Sequence, residues 1–244
     1  MVTLCNKKFQ ILMILFLISA DLMAAPFDSQ PFREILRSHR RVVQSGPVSY
    51  AGVAYDDPAL HGLAVKAMSD VENYSGNTPA EWKAYYINAY NITVIHLIAT
   101  NWPVRSILDL EGGKVFQTPR VRIQGRRISL DDLEKKVLRP SEDPRIHFAL
   151  VCAAIGCPDL RAEPYMPAVL DAQLDDQARQ YLRSSRGAII TGNTVRLSKL
   201  FEWYAADFRD IPAFVNRYRK LPPGARIVTD IEYDWRVNYS RERK

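Results

Sequence analysis

The chain has 244 residues, 47% hydrophobic and 25% charged, with a formal net charge of +6. That is long enough for a sizeable core, and too mildly basic, with acidic residues interleaved, for the charge to mark a nucleic-acid surface; no nucleic-acid partner is expected. Beyond the first 25 residues no segment is apolar enough to cross a membrane.

Lys7 and Lys8 precede an apolar run, Ile11 to Ile18, and Ala24-Ala25 follow it. Basic, apolar, small is the order of a secretory signal peptide, so residues 1–25 are expected to be a signal segment. An uncleaved anchor is the alternative, because Leu22 or Met23 sits where a second small residue is preferred. Residues 26–244 are then expected to form one domain, periplasmic or secreted, with no membrane span after signal removal.

Phe32 to Val43 reads as a helix stopped by Gly46-Pro47, and Tyr50 to Tyr55 as an extended segment. Asp57-Pro58 starts a second helix, with Leu60, Leu63, Ala64, Ala67, Met68 and Val71 at helical spacing. Thr78-Pro79-Ala80-Glu81 is a capping box with proline at the first helical position. The helix it opens runs to about Thr100 and is apolar nearly all round, so it is expected at the centre of the core. Asn88 and Asn91 share a face of it, and His96 lies two turns beyond Asn88. A buried amide must be hydrogen-bonded, so these residues either tie the helix to a neighbour or line a pocket and orient a catalytic group.

Lys114 to Gln117, Val121 to Gln124 and Arg127-Ile128 read as short strands, and Ser129 caps a helix over Asp131 to Arg139. Ile146 to Val151 reads as a short buried strand between the turn signals Asp143-Pro144 and Gly156-Cys157-Pro158. Ala168 to Ser185 is an amphipathic helix, and Ala188 to Leu197 a hairpin. Leu200 to Phe208 and Ile211 to Leu221 read as helices, and Arg226 to Val228 and Ile231 to Trp235 as strands. The expectation is an α+β fold: a central buried helix, several flanking helices and a small, mostly antiparallel sheet.

Five segments carry a family resemblance. They are Ala84-Tyr85-Tyr86-Ile87-Asn88-Ala89-Tyr90-Asn91; Ile128-Ser129-Leu130-Asp131-Asp132-Leu133-Glu134 with Leu138-Arg139; His147-Phe148-Ala149-Leu150-Val151-Cys152 with Cys157-Pro158-Asp159-Leu160; Trp203-Tyr204-Ala205-Ala206-Asp207-Phe208; and Tyr233-Asp234-Trp235. In this order they resemble the domain of unknown function 547 family, over about residues 50 to 238. The resemblance implies a fold neighbourhood and an export context, and no established reaction. Lys135 stands where many members place a histidine, so a role needing that histidine does not carry over.

With Cys5 in the signal segment, Cys152 and Cys157 remain as a pair in an oxidising compartment. A disulfide between them requires Ala153 to Gly156 to make a tight turn; a regular helix there would hold the two too far apart. The rival reading is thiol catalysis, with Cys152 as nucleophile, His147 as base, Asn91 or Asn88 orienting the imidazole, and His96 as the substitute base. In an unbroken strand His147 and Cys152 would face opposite ways, so that reading needs the strand to break near Val151-Cys152. No cofactor and no metal are expected. The spacing of His147, Cys152 and Cys157 matches no standard zinc pattern, and Gly112-Gly113 lacks the glycine pattern of a phosphate loop.

The function expected on this basis is a thiol-dependent hydrolase or acyl transferase acting on peptide or cell-envelope amide or ester bonds. The alternative is a non-catalytic envelope binding or interaction module in which the His147-Cys152-Cys157 segment is structural. Trp203, Tyr204, Tyr233 and Trp235 would then frame a peptide or glycan groove.

Overall fold

The computed structural model describes residues 27–123 and 125–240; the proposed signal segment, Cys5 and Gln124 lie outside the described residues. The first helix, α1 (Gln30–Glu34), is capped by Ser29 and continues as a π-helical turn, Ile35–His39. It ends there and does not reach Val43. Arg40–Ser45 instead forms β1, which pairs antiparallel with β2 (Val48–Val53). The β-branched Val42 and Val43 favour the strand, and Gly46, at φ +57°, supplies the left-handed residue of the turn.

Asp57 caps α2 (Pro58–Glu72), whose Leu60, Ala64, Ala67 and Val71 pack along the central helix α3 (Pro79–Thr100). The capping box of α3 is formed as its sequence demands: Thr78 accepts from the Glu81 N–H, and Glu81 accepts from the Thr78 N–H at 2.8 Å. Its apolar side chains are buried on every side, from Ala84 to Ile98. Lys114 to Gln117, expected as a strand, is a turn, because the Gln117 and Thr118 N–H groups both donate back to the Lys114 carbonyl. The hairpin β3 (Val121–Ile123) and β4 (Arg126–Ile128) leads into α4 (Leu130–Asp132), which continues as a π-helical turn, Leu133–Leu138.

The stretch expected as a strand from Ile146 to Val151 begins with a single helical turn, α5 (Ile146–Ala149). Asp143 accepts from the Arg145 N–H at 3.1 Å, and the next three N–H groups donate to the carbonyls of Asp143, Pro144 and Arg145. All four residues of the turn are buried, so neither period 2 nor period 3.6 is visible in the sequence. Only from Leu150 does the chain extend.

A second apolar cluster follows. Its elements are α6 (Leu170–Arg183), β5 (Ala188–Thr191), β6 (Thr194–Ser198), α7 (Leu200–Trp203), α8 (Ala205–Phe208), α9 (Ile211–Tyr218) and β7 (Arg226–Ile231). β5 runs antiparallel to β6, and β7 runs parallel to it. The helix expected from Leu200 to Phe208 is interrupted at Tyr204, whose φ/ψ of −112°/23° separates α7 from α8. The strand expected over Ile231 to Trp235 stops at Ile231. The residues after it leave the sheet and bond the turn at 153–157 instead. The fold is thus α+β, with small and mostly antiparallel sheets, and its described strands divide among three of them. α5 joins the two clusters: Phe148 enters the second, while Ile146 and Ala149 enter the first.

Candidate functional site

The segment around the cysteines is held by side chains acting on its backbone. Asn91 of α3 donates to the Ala149 carbonyl at 3.0 Å and accepts from the Val151 N–H at 2.9 Å. One buried amide thereby satisfies two peptide groups that have no ladder to join. Beyond Cys152 the chain reverses through Ala153, at φ +57°. The reversal is clamped from the C-terminal side. Ile155 and Gly156 donate to the carbonyls of Arg236 and Asp234 at 2.8 and 2.9 Å, and Ala154 pairs with Val237. A Cβ on Gly156 would lie 2.7 Å from the Asp234 nitrogen, so glycine is required for this approach. Arg186 reaches the Cys157 carbonyl and pairs with Asp159 at 2.8 Å.

This reversal brings the two thiols together. Cys157 Sγ accepts from the Cys152 N–H at 2.9 Å and from the Cys152 thiol at 3.0 Å; the Tyr233 hydroxyl lies 3.1 Å from Cys152 Sγ. Both cysteines are free thiols, which corrects the disulfide alternative. The tight turn that alternative needed is present, but the sulfurs meet as donor and acceptor, well outside the ~2.05 Å of a covalent bridge. Burial pushes the Cys152 thiol well up, and its role as donor to Cys157 adds to this. For Cys157 burial acts upward too, but is outweighed by hydrogen bonds from Cys152 and Tyr233 and by the charge of Arg186, so its thiol is lowered. Of the two, Cys157 is therefore the thiol that gives up its proton more readily.

His147 turns to other partners. Its Nε2 lies 2.7 Å from Asp207 Oδ2, and its ring stacks on Tyr204 at 3.8 Å. Asp207 is gripped by Arg139 through two bonds of 2.7 and 2.8 Å. Burial lowers the imidazole to about 4 despite the carboxylate, so at neutral pH a neutral ring donates to Asp207. No hydrogen bond joins His147 to Cys152 among the described residues.

Glu134 is the residue that sequence reasoning passed over. It is 8% exposed. Its carboxyl is pushed up by burial, a rise moderated by a hydrogen bond with Tyr204. Its Oε1 has no hydrogen-bond partner among the described residues. A signal was available: Leu130, Leu133, Glu134, Val137 and Leu138 stand at the i, i+3, i+4, i+7, i+8 positions of an apolar helix face, with one charge among them. Asp207 was visible only as a member of the fourth segment carrying the resemblance, and nothing local marks it as a partner of His147.

A cavity of about 200 Å³ unites these groups. His147, Cys152 and Cys157 line it together with Glu134, Tyr204 and Tyr233, and Trp203 and Trp235 form its aromatic side. Trp203 is 48% exposed and lies 5.0 Å from Tyr233, which lies 4.8 Å from Trp235. Each of the five segments carrying the resemblance contributes to the lining, Tyr90 from the first and Asp131 and Glu134 from the second.

The other predicted residues lie elsewhere. Asn88 clamps the Tyr165 peptide, donating at 2.8 Å and accepting at 2.9 Å. His96 lines a separate cavity with Glu111 and Arg120, on the far part of α3. No cluster of metal-ligating side chains occurs among the described residues, and no helix among them is long and apolar enough to cross a membrane.

Residues 74–182 match the family described as "Protein of unknown function, DUF547", and the chain carries a DUF547 domain over that span. No curated protein and no solved structure matches the chain.

Proposed function

We propose that this DUF547-containing chain is a thiol-dependent hydrolase or acyl transferase for amide or ester bonds, with Cys157 as the attacking sulfur and Cys152 as its proton-carrying partner. The observation that carries the reading is the double hydrogen bond onto Cys157 Sγ at the wall of a cavity. It favours a thiolate without an imidazole base. His147 is engaged by Asp207 and Tyr204 and serves here to build the wall.

The steps balance. The Cys157 thiolate forms a C–S bond with the acyl carbon, and the C–N or C–O bond breaks. The departing amine or alcohol takes the proton of the Cys152 thiol, 3.0 Å from the attacking sulfur. Water or an acceptor then attacks the thioester, returns a proton to Cys152 and releases Cys157 as thiolate. The basic, apolar, small order of residues 1–25 supports an exported protein, and hence a peptide or cell-envelope substrate.

The test is alkylation of the fully reduced protein with iodoacetamide across pH, mapped by mass spectrometry, followed by exposure to p-nitrophenyl acetate. Cys157 is expected to react below the pH of an ordinary thiol and to carry an acetyl adduct. Two thiols inert in the native state, with no adduct, would overturn the reading. The exposed aromatic side of the cavity would then favour the binding-module alternative, a ligand held against Trp203, Tyr233 and Trp235 without chemistry.

A further inference from the structure

We infer that this cavity selects a ligand bearing an ammonium group, held by Glu134 and the aromatic side. The chain is basic overall, at +6. Yet no lysine or arginine lines the cavity among the described residues, whereas Asp131 and Glu134 both do. Asp131 is already paired with Lys135, one turn along the helix, at 2.8 Å. Arg139, the other cation near Glu134, is committed to Asp207 by two hydrogen bonds. Glu134 is left with a buried Oε1 that has no partner among the described residues.

A buried carboxylate oxygen without a donor is costly until something donates to it. The remaining groups on the lining supply little. Tyr204 already bonds the Glu134 carboxyl, and the neutral His147 ring is turned to Asp207. An anionic ligand would meet the Asp131 and Glu134 carboxyls with no cation on the lining to receive it. A neutral donor would satisfy Oε1 without favouring the ionised carboxyl that burial opposes. An ammonium answers both requirements, since it donates to Oε1, brings the charge that favours the ionised carboxyl, and is attracted by aromatic rings such as those of Trp203, Tyr233 and Trp235 on the same lining. The cavity volume of about 200 Å³ suits an alkylammonium side chain or a free amino terminus. The substrate class that follows is an amine-bearing peptide or diamine unit. This rests on the thiol reading for what is done to the ligand, but not for its binding.

The test is a fluorescence titration of the reduced protein, reading its tryptophans, with three isosteric probes: butylammonium, butanol and butyrate. Butylammonium is expected to bind at least about tenfold more tightly than butanol, and butyrate not to bind measurably. In Glu134→Gln the preference for butylammonium over butanol is expected to fall to about twofold or less. Equal binding of butylammonium and butanol, preference for butyrate, or a preference that survives in Glu134→Gln overturns the inference. The ranking in the unmodified protein decides by itself if the variant does not fold. No thiol chemistry enters this readout, so inert cysteines would refute the catalytic reading and leave this one standing.

Discussion

Cys157 Sγ accepts hydrogen bonds from both the backbone N–H and the thiol of Cys152, at 2.9 and 3.0 Å. Two sulfurs five residues apart are thereby made unequal, one a donor with its thiol pushed up and the other an acceptor with its thiol pushed down. Removing the donor should undo part of that asymmetry. In Cys152→Ala the pH midpoint for alkylation of Cys157 by iodoacetamide should rise by about 1 unit, because one hydrogen bond to the thiolate is lost. A midpoint that stays in place would show that Cys152 does not tune Cys157.

The His147–Asp207 contact leads to a prediction about acid stability. The folded imidazole is lowered from 6.5 to about 4, so the unfolded chain binds more protons than the folded one between these values. Stability is therefore complete above about pH 6.5 and declines as pH falls toward 4, by about 3 kcal/mol for this group. Urea denaturation at a series of pH values should show this slope, and His147→Gln should flatten it across that window.

Asp143 titrates lower. Burial acts upward on it, but Arg145 and Lys83 outweigh burial and hold its carboxyl at about 2, below the ordinary 3.8. Its contribution is present above about pH 3.8 and is lost as pH falls toward 2. Asp143→Asn should remove this final acid transition while leaving the His147 slope between pH 6.5 and 4 in place.

Asn91→Ala would leave the Ala149 carbonyl and the Val151 N–H without partners in a buried region. A loss of about 3 kcal/mol is expected, read as a lower denaturant midpoint. The alkylation profile of Cys157 should broaden as well, because the backbone leading to Cys152 loses its anchor.

Gly156→Ala tests the clamp from the C-terminal side. The new Cβ would sit 2.7 Å from the backbone nitrogen of Asp234, which no side-chain rotation relieves. Destabilisation of about 2 kcal/mol is expected in thermal or denaturant unfolding.

How legible the molecule was varied with how local the cause is. The start of α3 could be read to the residue, because a capping box is written in four consecutive side chains. The central position of α3 followed from its having no polar face. The helical turn α5 was read as a strand because burial on all sides erases periodicity. The pairing of His147 with Asp207 joins residues 60 apart, and no local pattern announces it. Glu134 lies between these cases. Its place on an apolar helix face is visible in the sequence, but the empty side of its carboxyl is not.

By itself the sequence determined the caps, the buried helix, the tight turn signals around Cys157 and the family resemblance, since each depends on residues near one another in the chain. Tertiary structure alone decided which side chains share the cavity. It took His147 away from Cys152 and gave it to Asp207, and it set Cys157 rather than Cys152 as the acceptor sulfur. The physical reason is that a hydrogen bond goes to whichever donor and acceptor meet at about 3 Å in a dry interior, and that meeting is arranged by packing between distant segments. The cysteine pair is adjacent because the last strand's continuation leaves its sheet to grip the 153–157 turn, an outcome no stretch of either segment encodes alone.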